Sequence, residues 1–418
     1  MKITIFAAGS QGDIQPCVAL AKGLQQNGFQ INIAAPSDFA EFISEHGLEF
    51  SPLRGDVRKI MASETGRKFM EKGGRNPLRS IQTIRTLIAP VIREMTEDLY
   101  STCQKSDALI SLGVFSAFAV AISDALQIPL IHVEPTPLLP TGSFPAPSWP
   151  IQKNLGKIHN HLSGLLMLYV VWLWYRPFVR DIRKKLNLPD YHGSDFIRGL
   201  KSRPMLSAYS NYIIPHPVDW PENINITGYL FLDSDEDWQP PSELIQFLNN
   251  GKKPIYIGFG SMGGQEPEKL ANIVFGALEK SKQRGVLLTG WGGLKTNLTS
   301  ENVFVLDKAP HHWLFPQMAA VVHHGGAGTT AEVLRAGVPS VIVPFILDQP
   351  FWGARSKTLG VGSSPIPHKK LTVNNLSEAI TSVTTNSEII KRSRMIGELI
   401  RAENGVQNAV NVVQKLIK

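Results

Sequence analysis

The sequence predicts an α/β chain made of two doubly wound parallel-sheet domains facing each other across a cleft. Three observations carry that reading. Short apolar runs alternate with helical segments in both halves of the 418 residues. An acidic, proline-containing stretch, FLDSDEDWQPPSELIQFLNNGKKP over residues 231–254, separates the halves. Small-residue loops, which let a backbone approach a ligand closely, sit between strands and helices.

In the first half, Ile3–Ala8 reads as a buried strand, Gly9–Gln15 as a turn, and Pro16–Asn27 as a helix with apolar Val18, Leu20, Ala21 and Leu24. Gln30–Ala35 is a second strand and Phe39–His46 a second helix. Ala108–Leu112 and Leu130–Val133 flank the helical stretch Ser116–Leu126. Continuous apolar strands between helices argue for a parallel sheet covered on both faces. The second half repeats the pattern. Pro254–Phe259, Gly285–Thr289, Val303–Leu306, Ala320–His323 and Ser340–Pro344 are strands; Pro267–Lys280, Thr329–Ala336 and Pro350–Leu359 are helices. Glu388–Lys418 reads as one or two more helices. The expected divisions are 1–230, a linker over 231–254, 255–385, and terminal helices over 386–418.

Composition excludes several classes. Lys plus Arg is 42 and Asp plus Glu 35, a formal charge of +7, with 18% charged and 43% hydrophobic residues. A disordered chain needs lower hydrophobicity and more charge. Two cysteines, Cys17 and Cys103, cannot build a disulfide scaffold and fit a reducing compartment. The basic residues are scattered, so an anionic small substrate or membrane surface is expected and nucleic acid is not. Ile3–Ala8 is shorter than the ~7–15 residues of a signal-peptide core. Leu162–Tyr175 (LSGLLMLYVVWLWY) carries no charge but falls short of the ~20 residues that span a bilayer. Arg176, Arg180, Arg183, Lys184 and Lys185 follow it. The segment 162–185 reads either as a buried helix with a solvated end or as a helix lying in a membrane interface.

The chemistry is sought in three loops. After Ala320–His323 comes His324-Gly325-Gly326-Ala327-Gly328-Thr329-Thr330, entering a helix. Unpaired N–H groups and the positive end of the helix dipole suit a phosphate. Thr329 or Thr330 can add a hydroxyl donor, and His324 an imidazole; the alternative is a tight turn with a buried histidine. Phe259-Gly260-Ser261-Met262-Gly263-Gly264 also leaves a strand and can bring Ser261 to the same phosphates, or be an ordinary connection. Asp348-Gln349 precedes Pro350 and offers acceptors and a donor to sugar hydroxyls, while Asp348 taken alone reads as a helix N-cap.

Together these residues resemble the inverting UDP-glycosyltransferases of the GT-B fold, in which two Rossmann-like domains face across a cleft. The pattern is that of the sterol 3-beta-glucosyltransferase-like branch. It rests on GSQGDIQP at 9–16, YIGFGSM at 256–262, His323–Thr330, and Pro344-Phe345 through DQPFWGAR at 348–355. It also rests on GYLFLD at 228–233 with Trp238 and Pro240-Pro241, so that nearly the whole chain is covered. Antibiotic-decorating glycosyltransferases share many of these motifs. The resemblance implies a diphosphate held by His324, Gly326, Ala327, Gly328 and Thr329, with Ser261 opposite and Ser10 and Gly12 on the donor side. It implies sugar hydroxyls at Asp348 and Gln349, and a uracil framed by Pro310 and His311. The plant relatives' base-stacking Trp corresponds here to Lys308, and Trp291 is expected to take over part of that contact.

Asp13, at the lip of the expected cleft, is the candidate general base, a role the resemblance also implies. Capping the following helix is its alternative role. His132 and Glu134 are candidates for the acceptor side, or hydrogen-bonded structural residues. The Asp-x-Asp spacings present, in Asp233-Ser234-Asp235-Glu236-Asp237, fall in the acidic linker and no His/Cys cluster at metal-ligand spacing is evident, so no metal is expected. Residues 54–93 are expected to form an acceptor-side loop with a helix, and the last helix to cross back onto the first domain. The expected reaction moves glucose from UDP-glucose to a hydroxyl of an apolar polycyclic or lipid acceptor, giving a β-glucoside. The expected location is cytoplasmic, with peripheral membrane contact through 162–185. The alternatives are a natural-product glycosyltransferase using another UDP- or TDP-sugar, a GT-B nucleotide-sugar epimerase, and a silent binding module.

Overall fold

The computed structural model of the protein describes residues 1–55, 77–113, 116–233, 238–260, 267–289 and 300–417, with backbone alone for 77–88. β1 (Lys2–Phe6), β2 (Gln30–Pro36), β3 (Glu49–Leu53), β4 (Ala108–Leu112), β5 (Leu130–Glu134), β6 (Met205–Ser207) and β7 (Ile224–Ile226) form one sheet, ordered β3-β2-β1-β4-β5-β6-β7. β8 (Ile255–Gly258), β9 (Gly285–Leu288), β10 (Val303–Leu306), β11 (Ala320–His323) and β12 (Ser340–Ile342) form the second, ordered β10-β9-β8-β11-β12. Every pairing between these strands is parallel, with Ile3 beside both Ile31 and Ala108, and Val322 beside Ile257.

Both faces of each sheet are covered, as the unbroken apolar strands require. In the first, Ile3, Ile5, Ile33 and Ile110 pack on Val18, Leu20 and Leu24 of the Gln11–Gln26 helix. The opposite face, with Phe6, Ala34 and Leu109, meets Leu99 and Ile122. In the second sheet, Ile255, Ile257 and Val322 pack on Val274 and Leu278, while Tyr256, Val286 and Val321 meet Leu314 and Val333. Strand order reverses between β1 and β4 and between β8 and β11. Crevices open at such switch points, beyond the carboxyl ends of the strands. The loops after β1 and β11 therefore stand where ligands are held.

The first helix begins at Gln11, five residues before the expected start at Pro16. Ser10 takes the extended N-cap conformation, and the Asp13 carboxylate closes back onto it. Asp13 thus sits in the first helical turn and not in the loop before it. The short strands β3, β6 and β7 had no legible alternation; each is placed by pairing with a longer neighbour. The apolar run 162–175 is the middle of a 29-residue helix, Lys157–Lys185. Residues 54–93 contain the start of a 27-residue helix, Pro77–Cys103, while residues 56–76 lie outside the described residues.

The described residues of the connection between the halves pack against both domains. Leu232 joins the first core, and Leu244 of the Ser242–Asn249 helix is fully buried against Tyr256 and Val286. A shared core then joins the domains: Tyr209, Ile213 and Trp172 of the first meet Leu334, Phe351 and Trp352 of the second. Phe144 and Phe351 lie with ring centroids 5.8 Å apart. The last helix, Gly405–Ile417, places Ala409, Val410 and Val413 in the first domain's core, and Asn408 Nδ2 donates to the Thr227 carbonyl at 2.9 Å. Gly405 makes this possible, because a Cβ there would collide with the Tyr229 carbonyl and come within 2.8 Å of the Gly228 carbonyl carbon. Gly405→Ala is expected to destabilise the protein by about 1–3 kcal/mol, since backbone and not a flexible side chain must yield; chemical denaturation of the two proteins measures it.

Candidate functional site

The loop after β1 is shaped around one carboxylate. Oδ2 of half-buried Asp13 accepts from the Ser10 N–H at 2.7 Å and the Ser10 hydroxyl at 2.9 Å. Gly9 has φ +131°, and a Cβ at that position would strike Asp13 Oδ2. The glycine therefore supplies both the left-handed turn and the space into which the carboxylate folds. Capping and a role in the cleft are compatible, because the two donors hold Asp13 at the carboxyl edge of β1.

The loop after β11 is built the opposite way, from donors. The Ala327–Ala336 helix has Gly326 as its N-cap, which brings no side chain to close the first turn. The N–H groups of Ala327, Gly328 and Thr329 are in that turn, with the positive end of the helix dipole behind them. A Cβ built at Gly328 meets nothing within 4 Å, so the turn opens onto space. Of the two threonines only Thr329 is left for a ligand: Thr330 is buried and its hydroxyl donates to the Gly326 carbonyl at 2.9 Å. Gly325, at φ +91°, sits against Ile342 and the Gln349 backbone, fastening this loop to the one after β12.

Three imidazoles gather here. His324 lies between Gly260 of the loop after β8 and Gly326, its Cε1 3.5 Å from a Cβ built at Gly260 and its Nε2 2.5 Å from one built at Gly326. Burial lowers its pKa to about 4, and its buried Nδ1 has no hydrogen-bond partner among the described residues. His323, fully buried, accepts the Gly325 N–H on Nδ1 at 3.2 Å. Its Nε2 therefore carries the hydrogen, without an acceptor among the described residues. Burial, then the charges of His324 and His311, holds its pKa well below the usual value. His311 stacks on Phe315 with centroids 4.4 Å apart, and burial first, then His324 and His312, lowers its pKa to about 4. At neutral pH the cluster is uncharged and offers N–H dipoles to an anion.

Asp348 and Gln349 close the cleft beside it. Asp348 occupies the N-cap position of the Gln349–Leu359 helix, yet its Oδ2 accepts from the Trp352 indole at 2.8 Å and does not cap the backbone. Burial raises its pKa against that hydrogen bond, and the charge of Asp13 adds to the rise. The two carboxylates, 335 positions apart in sequence, thus feel each other across the cleft. Leu347 just before Asp348 has φ +56°, an uncommon backbone for a leucine, at the exposed tip of the loop.

Two family models match the chain: the glycosyltransferase family 28 N-terminal domain over residues 3–141, and the erythromycin biosynthesis protein CIII-like C-terminal domain over 293–418. A sterol 3-beta-glucosyltransferase of Arabidopsis thaliana is 38% identical over 99% of this chain and 65% of its own length. A second from the same plant is 34% identical over 99% of this chain and 68% of its own length. The chain belongs to the sterol glucosyltransferase family. It spans about two thirds of the length of these curated relatives. Among solved structures, the glycosyltransferase of kitacinnamycin superposes with a TM-score of 0.76 at 18% identity, covering 100% of this chain and 99% of that one, which establishes a shared GT-B fold.

Against the sterol glucosyltransferase pattern, the structure brings Ser10, Gly12, Asp13, His311, His324, Gly326, Ala327, Gly328, Thr329 and Asp348 to the carboxyl edges of the two sheets. Ser261 and Trp291 lie outside the described residues. Gln349 differs from expectation. It is buried, and its side-chain oxygen accepts the N–H groups of Phe345 at 2.7 Å and Ile346 at 3.1 Å, so that of the acceptors and donor expected from the Asp348-Gln349 pair, Gln349 keeps only its amide N–H groups for a sugar. His132 also differs: fully buried, it finds no partner for either ring nitrogen among the described residues, where a hydrogen-bonded role was one expectation. Sequence reasoning missed Gly9, Trp352 and His323 as supports of Asp13, Asp348 and Gly325. The four-residue spacing from Asp348 to Trp352, one turn of helix, was the available signal.

The neutral histidines make stability depend on pH. His311 and His324 titrate near 4 when folded, against 6.5 for an unperturbed imidazole. Between those values the unfolded chain binds more protons than the folded one, so their contribution is complete above pH 6.5 and drains away toward pH 4. The melting temperature of the ligand-free protein should therefore fall across that window, and less steeply in His311→Gln, as read by calorimetry.

Proposed function

We propose that the chain transfers glucose from UDP-glucose to a hydroxyl of a sterol-like acceptor, with inversion, using Asp13 as general base. One observation carries this: an Asp13 carboxylate at the edge of the first sheet faces, within electrostatic reach of Asp348, an uncapped helix start and a neutral His324 at the edge of the second. Asp13 takes the proton of the acceptor hydroxyl. The oxygen attacks the anomeric carbon from the face opposite the diphosphate, and the bond from that carbon to the phosphate oxygen breaks. The electron pair leaves on UDP, whose growing charge is met by the N–H groups of Ala327, Gly328 and Thr329 and by His324. These donors are fixed before the reaction, so no reorganisation is needed when charge develops. Asp348 accepts from donor-sugar hydroxyls on the oxygen that Trp352 does not occupy. Attack on an α-linked donor leaves a β-glucoside.

A membrane surface as the source of acceptor is part of the same reading. In the Lys157–Lys185 helix, Leu168, Trp172, Val179 and Ile182 are buried in the first domain, so the helix lies along the protein. Its other side is one continuous stripe at helical spacing. Ile158, Leu162, Leu166, Tyr169 and Leu173 are exposed, Ile158 by 79%, and Arg176, Arg180 and Lys184 continue the stripe. Four apolar turns followed by two basic ones suit insertion among acyl chains with phosphates at one end.

Asp13→Asn is expected to lower transfer by more than about 100-fold, the scale of a lost general base, while UDP binding measured by calorimetry stays unchanged; loss of both would make Asp13 a structural residue. His324→Ala should weaken UDP binding by about 1.5–3 kcal/mol, the range for a hydrogen bond to a charged group. The double substitution Leu162→Glu and Leu166→Glu should abolish sedimentation with vesicles of acidic phospholipid and leave UDP binding intact. Equal sedimentation of the wild type and this variant rejects the membrane face.

A further inference from the structure

The first domain holds a buried carboxyl group that the transfer chemistry does not use. Glu134 ends β5 and is 4% exposed, and its Oε1 has no hydrogen-bond partner among the described residues. It is enclosed by three elements. Ser116 begins the Ser116–Leu126 helix, Tyr175 projects from the long Lys157–Lys185 helix, and Tyr209 follows β6; Ser116 is within hydrogen-bonding reach of the carboxyl, and both tyrosines lie within its electrostatic reach. The Tyr209 hydroxyl is also buried without a partner among the described residues, as are both nitrogens of His132 two residues earlier on the same face of β5. Burial raises the Glu134 pKa to about 8, against a smaller lowering by Ser116. At neutral pH the group is therefore a carboxylic acid, able both to donate and to accept. Unpaired polar atoms are costly inside a protein, and several on one side of a sheet call for a partner the chain itself does not supply among the described residues.

The position sets what the ligand carries. Glu134 and Asp13 stand at the carboxyl edge of one sheet, after β5 and β1, and β4 alone lies between those strands. Two strand spacings set β5 and β1 themselves about 10 Å apart. That is the length of a fused polycyclic skeleton measured from a hydroxyl on one terminal ring to a substituent on the other. Phe118, Leu139 and Trp172 belong to the apolar core of this domain.

We propose that Glu134 determines acceptor specificity by hydrogen-bonding a second polar group, a carbonyl or hydroxyl on the ring remote from the glycosylated hydroxyl. This rests on the glucosyltransferase reading for the direction in which the acceptor lies. It adds to that reading an acceptor polar at both ends, where a plain sterol is polar at one.

A matched pair of steroids tests it: dehydroepiandrosterone, with a ring-D ketone, and androst-5-en-3β-ol, the same skeleton without it. Transfer from UDP-glucose and equilibrium binding, followed by tryptophan fluorescence, are measured for both. The wild type should favour the ketone by roughly 5- to 30-fold in kcat/KM and in binding, the worth of one buried hydrogen bond. Glu134→Gln, whose amide still donates, should keep most of that preference. Glu134→Leu should erase it by losing the ketone while holding or improving the other steroid. An equal preference in the wild type, or a preference surviving in Glu134→Leu, overturns the proposal. Absence of transfer with both steroids while the binding preference follows Glu134 would fault the reaction and leave the site.

Discussion

An imidazole nitrogen buried without a partner at the mouth of an uncapped helix is a cost that the rest of the fold must carry. His324, His323 and the first turn of the Ala327–Ala336 helix form such a place, and the rest of the architecture holds it rigid. The switch point between β8 and β11 brings two loops together there. Gly260 and Gly326 leave the ring its space, and Gly325 lets the adjoining loop close against it. Burial keeps all three histidines neutral, so the cluster presents dipoles and no full positive charge.

The facing domain supplies the complementary group. Asp13 is held by two donors from Ser10, and its charge reaches Asp348 on the other side of the cleft. That meeting depends on the apolar core shared by the domains and on the terminal helix that returns to the first sheet. The relation of the Asp13 carboxylate to the uncapped helix start is thus a property of the domain interface, since the two belong to different cores.

The long helix of the first domain has two distinct sides. Its inner side contributes Trp172 and Tyr175 near the buried Glu134, and its outer side presents an apolar and then basic stripe. The same element thus joins an enclosed polar group on its inner side to an apolar surface on its outer side.

Alternation of apolar runs with helical segments determined the two-sheet architecture, because a strand buried on both faces has no other composition available to it. Small residues between β11 and its helix likewise marked the uncapped turn, since a Gly N-cap brings no side chain to close it. Local signals failed where the decisive partner was distant or spatial. The start of the first helix follows the closure of Asp13 on Ser10 and not the visible Pro16. Gln349 turned inward because the N–H groups of Phe345 and Ile346 needed an acceptor, a demand that exists only in the folded loop. The choice of Thr329 over Thr330, the neutrality of the histidines and the isolation of Glu134 were also decided in three dimensions. Burial sets each of them, and burial is created by residues hundreds of positions away.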